Sequence, residues 1–468
     1  NSYLHLTLEL CILYIYIRGN IEMSSKPRLL CWSDFGGCNT GFNRVATALY
    51  DKLHEDFEVN VLAINYHGLN EFDTSKYAMV FPIDNTDPFG YNRLPLILQR
   101  VKPDVIFLFQ DIFNVIPAAR IARQALGPDI PIVTYYPVDG APVSASWRSA
   151  YQPGLFQKHI TYSDWAVDEI KSTFPEETKD MDIDVMYHGV DPNVFYPLKP
   201  FHIKQVKRER GWHDKFTVIN LNRFQPRKGI DRTIDAFAMF HYGYFIDKDG
   251  YWFPRTMKRH PLQHYNMSDP GVIVDEVPGH EDTVMYLHSS PADRIFGPTK
   301  SCSLFAQAYN RGIKNDDLGT VFQVPMRDIM AMPSPDSEIN EMYNAADINI
   351  TGTLGEGCGL SLVEASACGT TSIAPHNSAI PEMLEDTGHL CKNVSTFLQS
   401  MDNAHCRPLV DPRELVKAME IEYQRWIANG RKKLFNQPAV DLVKRKFQWD
   451  DKKSFLRDIL LETLKGGK

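Results

Sequence analysis

The sequence has little cysteine, and neither positive nor negative charge strongly predominates. Eight cysteines are scattered through 468 residues, and none forms a Cys-x-x-Cys pair. Because such pairs are typical of zinc and redox sites, neither kind of site is indicated. Net charge is −8 with no long basic run, so nucleic-acid binding is not expected. These features are typical of a cytoplasmic protein with reduced thiols.

A long hydrophobic run is also missing. The longest uninterrupted apolar stretch near the start, residues 10–17, is far shorter than the roughly 20 residues that span a bilayer. No transmembrane span is therefore predicted, although peripheral contact with a membrane surface stays open. Residues 1–22 also lack a basic start and a cleavage site, so we expect Met23, just before the first strand, to be the natural start.

Two further motifs are absent. No Gly-x-Gly-x-x-Gly follows the first strand, which disfavours a dinucleotide cofactor and a Rossmann dehydrogenase. No Asp-x-Asp occurs in the loops predicted to face a ligand, so no metal site is predicted. The Asp-Lys-Asp-Gly segment at 247–250 resembles the start of a calcium loop, but Lys258 stands where that loop needs Glu. We interpret the segment as a hairpin turn in a peripheral insertion.

What is present is a regular alternation of short apolar runs and helical stretches. It predicts an α/β fold with two Rossmann-like parallel-sheet domains. The predicted strands are 28–32, 59–64, 104–109, 130–135, 160–162, 185–187, 217–221, 283–287, 320–324, 348–350 and 371–374. The predicted helices are 42–53, 116–126, 229–240 and 360–368.

The same pattern predicts the domain limits. The first domain is expected at 23–200 and the second at 201–440, with a proline-containing linker at 193–207 and an insertion near 241–281. The last stretch, 441–468, is expected to be a helix that packs back on the first domain.

The strongest local signal is the segment Thr353–Gly369, in which a glycine-rich loop joins a strand to a helix. Unpaired N–H groups at such a helix start favour phosphate. Glu356 lies in the loop, and Glu364, one turn inside the helix, is placed to accept hydrogen bonds from a ribose diol. The other residues predicted to bind this ligand are Gly357, Cys358, Gly359 and Leu360.

Two further loops follow strands. Asn222–Gly229 (NRFQPRKG) offers Arg223 and Lys228, five positions apart, which are suited to a diphosphate. The loop after the first strand contributes Gly36, Gly37 and Gly41, which we expect to close on the donor phosphate from the opposite domain.

Together these residues resemble the retaining GT-B glycosyltransferases of the large family that contains bacterial mannosyltransferases and sucrose synthase. Glu356 and Glu364 match the family's two glutamates separated by seven residues, and Arg223 with Lys228 matches its basic pair. Further similar segments are MYNAADINI at 342–350, HGVD at 188–191 and FQWDD at 447–451. The resemblance implies two domains that face each other across a cleft.

The resemblance also implies a reaction. A hexose would move from a UDP- or GDP-sugar to a hydroxyl of a sugar, glycan, lipid or protein, by front-face attack and without a cofactor or metal. Glu356 would hold the donor sugar and Glu364 the ribose, while Arg223 and Lys228 stabilise the leaving diphosphate.

The chain departs from the family at two places. Cys358 stands where Phe is usual, and the segment YYPVDG has no His where many members carry one. Asp139 in that segment is our candidate for a catalytic group, and Tyr136 and Asp111 are candidates on the acceptor side. Three alternatives stay open: an epimerase, a phosphorylase, and a non-catalytic nucleotide-sugar-binding protein.

Overall fold

The computed structural model describes residues 26–37, 40–68, 72–257, 272–290, 303–325, 333–398, 402 and 405–466. The expectations about residues 1–22, Met23 and Lys258 lie outside this range. Among the described residues, no helix combines the length and the apolar character that crossing a membrane requires.

The first sheet has seven strands in the order β3-β2-β1-β4-β5-β6-β7. They are β1 Arg28–Asp34, β2 Glu58–Ile64, β3 Met79–Pro82, β4 Val105–Phe109, β5 Ile132–Tyr136, β6 Lys158–Thr161 and β7 Ile183–Val185. β1 pairs in parallel with both β2 and β4, and β6 pairs in parallel with β7. The central strands β4 and β5 are buried along their whole length, as expected for a parallel sheet covered on both faces.

The second sheet has six strands in the order β13-β12-β8-β14-β15-β16, and its pairs are parallel. They are β8 Phe216–Leu221, β12 Thr283–His288, β13 Phe322–Gln323, β14 Ile348–Ile350, β15 Thr371–Pro375 and β16 His389–Cys391. In both sheets the chain starts in the middle, moves to one edge and then returns to the other side. The predicted α/β class with two Rossmann-like parallel sheets is confirmed.

Helices connect these strands. They are α1 Gly41–Tyr50, α2 Leu94–Val101, α3 Ile112–Leu126, α4 Asp164–Thr173, α5 Pro175–Thr178, α6 Pro200–Glu209, α7 Ile230–Tyr242, α8 Leu304–Asn310, α9 Asp336–Ala345, α10 Leu360–Ala367, α11 Ile380–Leu384, α12 Pro412–Ala428, α13 Gln437–Lys446 and α14 Trp449–Gly466. The four predicted helices correspond to α1, α3, α7 and α10. The helix α10 ends as predicted, with Gly369 at φ +69° just beyond it.

The predicted linker at 193–207 is only partly irregular. Its second half belongs to α6, whose first residue is Pro200 and whose buried face carries Val206. Proline is compatible with a helix start, because the N–H group that it lacks has no partner within the helix there. Pro200 therefore marks the beginning of a helix here.

The segment at 247–250 forms a hairpin turn, as predicted. Strands β9 Gly243–Asp247 and β10 Trp252–Pro254 are antiparallel, and β11 Ile273–Pro278 pairs on the other side of β9. A carboxylate oxygen of Asp247 accepts hydrogen bonds from the N–H groups of Asp249 and Tyr251. The carboxylate thus closes the turn by binding its own backbone.

The chain divides into two compact units. One comprises the described residues up to Thr134, with Pro153–Lys158 and the part of α14 from Lys453 onward. The other comprises Tyr135–Gln152 and His159–Lys452. In the first unit, Lys453 Nζ lies 3.4 Å from a carboxylate oxygen of Asp51. The predicted domain boundaries stay predictions.

The second unit has its main core between the six-stranded sheet and the helices α7 and α12. The core includes Val218, Ile234, Phe237, Met419 and Trp426, all nearly inaccessible to solvent. This unit also contains the antiparallel pair β17 Asn393–Leu398 and β18 Cys406–Val410. A rigid core of this kind fixes the loops that leave the ends of its strands.

Candidate functional site

Two loops leave the carboxyl ends of β8 and β14, which are neighbours at the point where the strand order reverses. Ligands bind at such points in open α/β sheets. The loops touch: Leu354 N–H donates to the carbonyl of Arg227 at 2.7 Å. Gly229, at φ +54°, lies so close that a Cβ there would be 2.0 Å from the carbonyl oxygen of Gly352. These contacts hold both loops in one fixed arrangement.

Glu356 is the centre of this arrangement and is 7% exposed. One carboxylate oxygen accepts from Lys228 Nζ at 2.6 Å and from Thr353 Oγ1 at 2.9 Å. The other lies 3.5 Å from an Nη of Arg227. Burial alone would raise the pKa of this carboxyl, but Lys228 and Arg227 together hold the pKa below its usual range. Glu356 is therefore an ionised acceptor at neutral pH.

Asp139 joins the same cluster of charges. Its carboxylate lies 3.2 Å from Arg227 Nε and 3.0 Å from an Nη of Arg407. Burial would raise its pKa, but the two guanidinium groups keep the pKa lowered. Arg407 itself is 1% exposed and is also held by Asp402, at 2.6 and 2.8 Å. Charges of opposite sign therefore alternate along the cluster.

The backbone of the 353–359 loop, which we call the glutamate loop, approaches its neighbours closely. A Cβ at Gly355 would lie 2.0 Å from the carbonyl oxygen of Asp139, and one at Gly357 would lie 2.9 Å from Cβ of Pro137. Gly359, at φ +72°, precedes α10, and no side chain in the described part of the protein caps that helix start. Its first N–H groups are suited to a phosphate.

Glu364 lies in α10 and is 6% exposed. One of its carboxylate oxygens accepts from the hydroxyl of Tyr343 at 3.1 Å. Tyr343 is in turn fully buried in α9. The structure thus holds this carboxylate in a fixed orientation inside the helix, which is what recognition of a diol requires.

Cys358 and Leu360 complete the predicted ligand-binding segment. Cys358 is buried, with its sulfur 3.8 Å from that of Met383, and burial raises the pKa of its thiol to about 12. It fills space as an apolar side chain and is not a nucleophile. Leu360, the first residue of α10, is partly exposed.

Two further predicted site residues differ in their exposure. The side chain of Arg223 is exposed at the start of its loop, and its role toward the diphosphate stays a prediction. Tyr136 is fully buried, and its hydroxyl lies 3.4 Å from that of Tyr151 and 3.3 Å from Nδ1 of His159. Tyr136 therefore lies in a core, because both faces of β5 are covered, and its expected role on the acceptor side stays a prediction.

The remaining candidates belong to the first unit. Asp111 is the residue before α3. Gly36 and Gly37 follow β1 at φ +84° and +83°, and Gly41 is the first residue of α1. A Cβ at Gly36 would lie 2.5 Å from the ring of Tyr66, so packing within this unit already requires glycine there. Their expected role toward the donor phosphate stays a prediction.

Sequence reasoning missed Arg227, Thr353 and Arg407. Arg227 is adjacent to Lys228 in the quoted motif, so its place in the loop after β8 is a usable signal. Arg407 binds Asp139 across 268 positions of sequence. Nothing in the segment around it indicates that contact.

Comparison with known proteins supports the resemblance. Residues 326–405 match the family described as glycosyl transferases group 1, which confirms the predicted resemblance and the glycosyltransferase class. The matched segment contains both Glu356 and Glu364. The sequence matches none of the curated proteins with which it was compared.

Similar solved structures cover nearly the whole chain. HepE of Anabaena in complex with UDP-glucose is 15% identical with a TM-score of 0.61, covering 93% of this chain and 100% of that one. Sucrose-phosphate synthase of Thermosynechococcus elongatus is 14% identical with a TM-score of 0.62, covering 94% and 100%. The UDP-forming α,α-trehalose-phosphate synthase of Burkholderia xenovorans is 12% identical with a TM-score of 0.58, covering 94% and 99%. At this identity the likeness concerns the fold.

Proposed function

We propose that this chain, whose residues 326–405 match the group 1 glycosyltransferases, moves a hexose from a nucleotide diphosphate sugar to a hydroxyl acceptor with retention of configuration. The observation that carries the proposal is the largely buried Lys228–Glu356 pair, 2.6 Å apart, beside the start of α10. A cation, a carboxylate and a helix N-terminus at one sheet edge suit a diphosphate with an attached sugar.

In the proposed reaction the bond between the anomeric carbon and the β-phosphate oxygen breaks while the acceptor oxygen attacks from the same face. The departing phosphate oxygen takes the acceptor's proton, so no separate base is needed. Lys228 and the N–H groups before α10 stabilise the growing negative charge. Arg223, which is exposed in the same loop as Lys228, is expected to contribute as well.

Glu356 would bind hydroxyls of the donor sugar, and Glu364 would bind the ribose. A covalent glycosyl intermediate would need a nucleophilic carboxylate close to a second acid/base group. The second group of that route has to be a protonated acid of raised pKa. Glu356 and Asp139 both pair with cations and keep lowered pKa values, so neither suits the acid role. Their ionised state is compatible with binding and orientation.

The donor is proposed to be a UDP- or GDP-sugar, with UDP-glucose the first to test because HepE was solved with it. The test is a panel of nucleotide sugars, first in thermal melting and then with acceptors of several classes. A donor should raise the melting temperature, because it binds only the native state. Release of nucleoside diphosphate together with a new glycoside is the expected product pattern.

Each alternative gives a different product. A nucleotide sugar that is converted without an acceptor indicates an epimerase, and release of a sugar phosphate from a glycoside and inorganic phosphate indicates a phosphorylase. Melting shifts without any turnover across the acceptor panel indicate a binding protein. Any of these results would overturn the proposal.

A further inference from the structure

We propose that Asp139, Arg227 and Arg407 act as one positioning unit for the glutamate loop, and that Asp139 is an ion-pair anchor and not a proton acceptor. The inference rests on the proposed function, since it concerns how the donor-binding carboxylate of Glu356 is held. It assigns roles to two arginines, Arg227 and Arg407, outside the residues proposed to contact the donor.

The first argument is the continuity of the contacts. Arg407 is fixed by two hydrogen bonds to Asp402 and holds Asp139 by its carboxylate at 3.0 Å and by its carbonyl. Asp139 holds Arg227 at 3.2 Å. Arg227 then donates to the carbonyl of Gly355 and lies 3.5 Å from Glu356. The chain of contacts thus ends on the carboxylate proposed to bind the sugar.

The second argument is steric. The carbonyl of Asp139 lies where a Cβ of Gly355 would be, at 2.0 Å. A Cβ at Gly140 would lie 2.6 Å from the ring of His405, two positions before Arg407 in sequence. With no space between the 139–140 backbone and its neighbours, a shift of Asp139 has to move the glutamate loop.

The third argument concerns charge. Both carboxylate oxygens of Asp139 face guanidinium groups, so its proton affinity is low and a base at this position would be weak. Arg407 is almost fully buried and would be left uncompensated without its two carboxylates. The cluster as a whole is balanced, and removing one member disturbs the others.

A role in positioning the glutamate loop and a purely structural role for the cluster predict different results. A merely structural cluster would lower the melting temperature and leave the kinetics of the folded enzyme unchanged. A positioning unit lowers kcat in folded enzyme, because misplacement by about 1 Å costs on the order of 10² in rate. It leaves binding of the free nucleoside diphosphate within about twofold, since the sugar is absent from that ligand.

The test compares Asp139→Asn, Arg227→Gln and their double variant in kcat, KM, pH profile and UDP binding. We expect each single variant to lose about 10- to 100-fold in kcat. The double variant should lose little more than either single one, because groups acting as a unit are non-additive. Arg227→Lys should recover part of the loss, and the acid limb of the pH profile should persist in Asp139→Asn.

The matched control is Arg413→Gln, a residue of the same compact unit of the chain but outside the positioning unit. Arg413 also pairs with a carboxylate, Asp411 at 2.6 Å, and with a carbonyl, that of Gly250 at 2.9 Å. It should leave kcat unchanged. Loss of the acid limb in Asp139→Asn, or an unchanged kcat in Arg227→Gln, would overturn the inference.

A readout without turnover separates this inference from the proposed function. Hydrogen exchange of the peptide that covers the glutamate loop should accelerate in Arg227→Gln and not in Arg413→Gln. If wild-type enzyme transfers no sugar but the loop responds as expected, the proposed function is wrong and the positioning unit stands. If wild-type enzyme is active and the loop does not respond, the positioning unit is wrong.

Discussion

The two sheets share a strand order but differ in what stands at the point where that order reverses. At the end of β1 in the first unit, Asp34 is 2% exposed and accepts from the neutral groups Thr40 Oγ1 at 2.6 Å and Gln110 Nε2 at 2.9 Å. Burial raises the pKa of Asp34 despite these bonds. In the second unit, by contrast, Glu356 is held by cations that lower its pKa.

The strand order creates a possible ligand site at the edge of each sheet, and the side chains at that edge determine which ligand binds. A buried carboxyl among neutral partners rejects further negative charge. An edge with Lys228 and the N-terminus of α10 suits an anionic leaving group. We therefore expect substitutions at the second edge to change catalysis and those at Asp34 to change stability.

The largest effect is expected from Lys228→Ala. Charge on the diphosphate grows as the glycosidic bond breaks, so the ammonium stabilises the transition state more than the ground state. kcat should fall by a factor on the order of 10² to 10³, as for loss of one preorganised donor. Steady-state kinetics on folded enzyme measure this effect.

Lys417→Ala is the matched control for Lys228→Ala. Lys417 also binds a glutamate, Glu414 at 2.7 Å, but on the surface of α12. Its replacement should leave kcat within about twofold. Equal losses in the two variants would show that Lys228 is an ordinary charge.

The next effect is expected from Glu356→Gln, which separates sugar transfer from diphosphate binding. kcat should fall by about 10², because the amide cannot hold the sugar as the carboxylate does. Free nucleoside diphosphate should nevertheless bind severalfold more tightly, since Lys228 loses its internal partner and is available to phosphate. Calorimetry and kinetics test both parts.

The control here is Glu422→Gln, a buried glutamate that is paired with His389 and Arg425, each at 2.7 Å. It should change neither kcat nor nucleotide affinity. Weaker nucleotide binding in Glu356→Gln would contradict the account of the Lys228–Glu356 pair.

A smaller effect is expected from Glu364→Ala, through the ribose. Loss of a hydrogen bond to a charged group costs about 1.5 to 3 kcal/mol, so the Kd of the nucleoside diphosphate should rise about 10- to 100-fold. Tyr343→Phe removes the bond at 3.1 Å that orients Glu364, so it should give a lesser change of the same kind. Calorimetric titration with the fold verified by melting decides this, and an unchanged affinity in Glu364→Ala would exclude the ribose assignment.

The smallest effect concerns stability and pH. The pKa of Asp139 is lowered in the folded state, so its stabilisation is present above the unfolded pKa of about 4 and is lost as pH falls below it. The pKa of Asp34 is raised, so its ionisation opposes folding at neutral pH and this penalty vanishes in acid.

At pH 7, Asp139→Asn should therefore lower the free energy of unfolding by on the order of 1 kcal/mol, and Asp34→Asn should raise it by a similar amount. Both differences should shrink below about pH 4. Denaturant unfolding at several pH values checks this. If both substitutions change the free energy of unfolding in the same direction at pH 7, the electrostatic difference between the two edges is contradicted.

Much of the fold follows from the sequence because strands buried on both faces are apolar runs, as at Val105–Phe109. The glutamate loop is predictable too, because glycines between a strand and a helix allow close backbone contacts. The limits of prediction lie in long-range contacts. Sequence alone does not show that β5 extends to Tyr136 and is covered on both faces. It also does not show that Arg407 reaches Asp139 from a remote strand.

The central claim is transfer of a hexose from a nucleotide diphosphate sugar with retention and without metal. The most direct test is NMR of the reaction in the presence of a chelator, following the anomeric proton of an α-linked donor such as UDP-glucose. The account predicts that nucleoside diphosphate and an α-linked product appear together at equal rates. A β-linked product, or activity that returns only when magnesium or manganese is added, would contradict it.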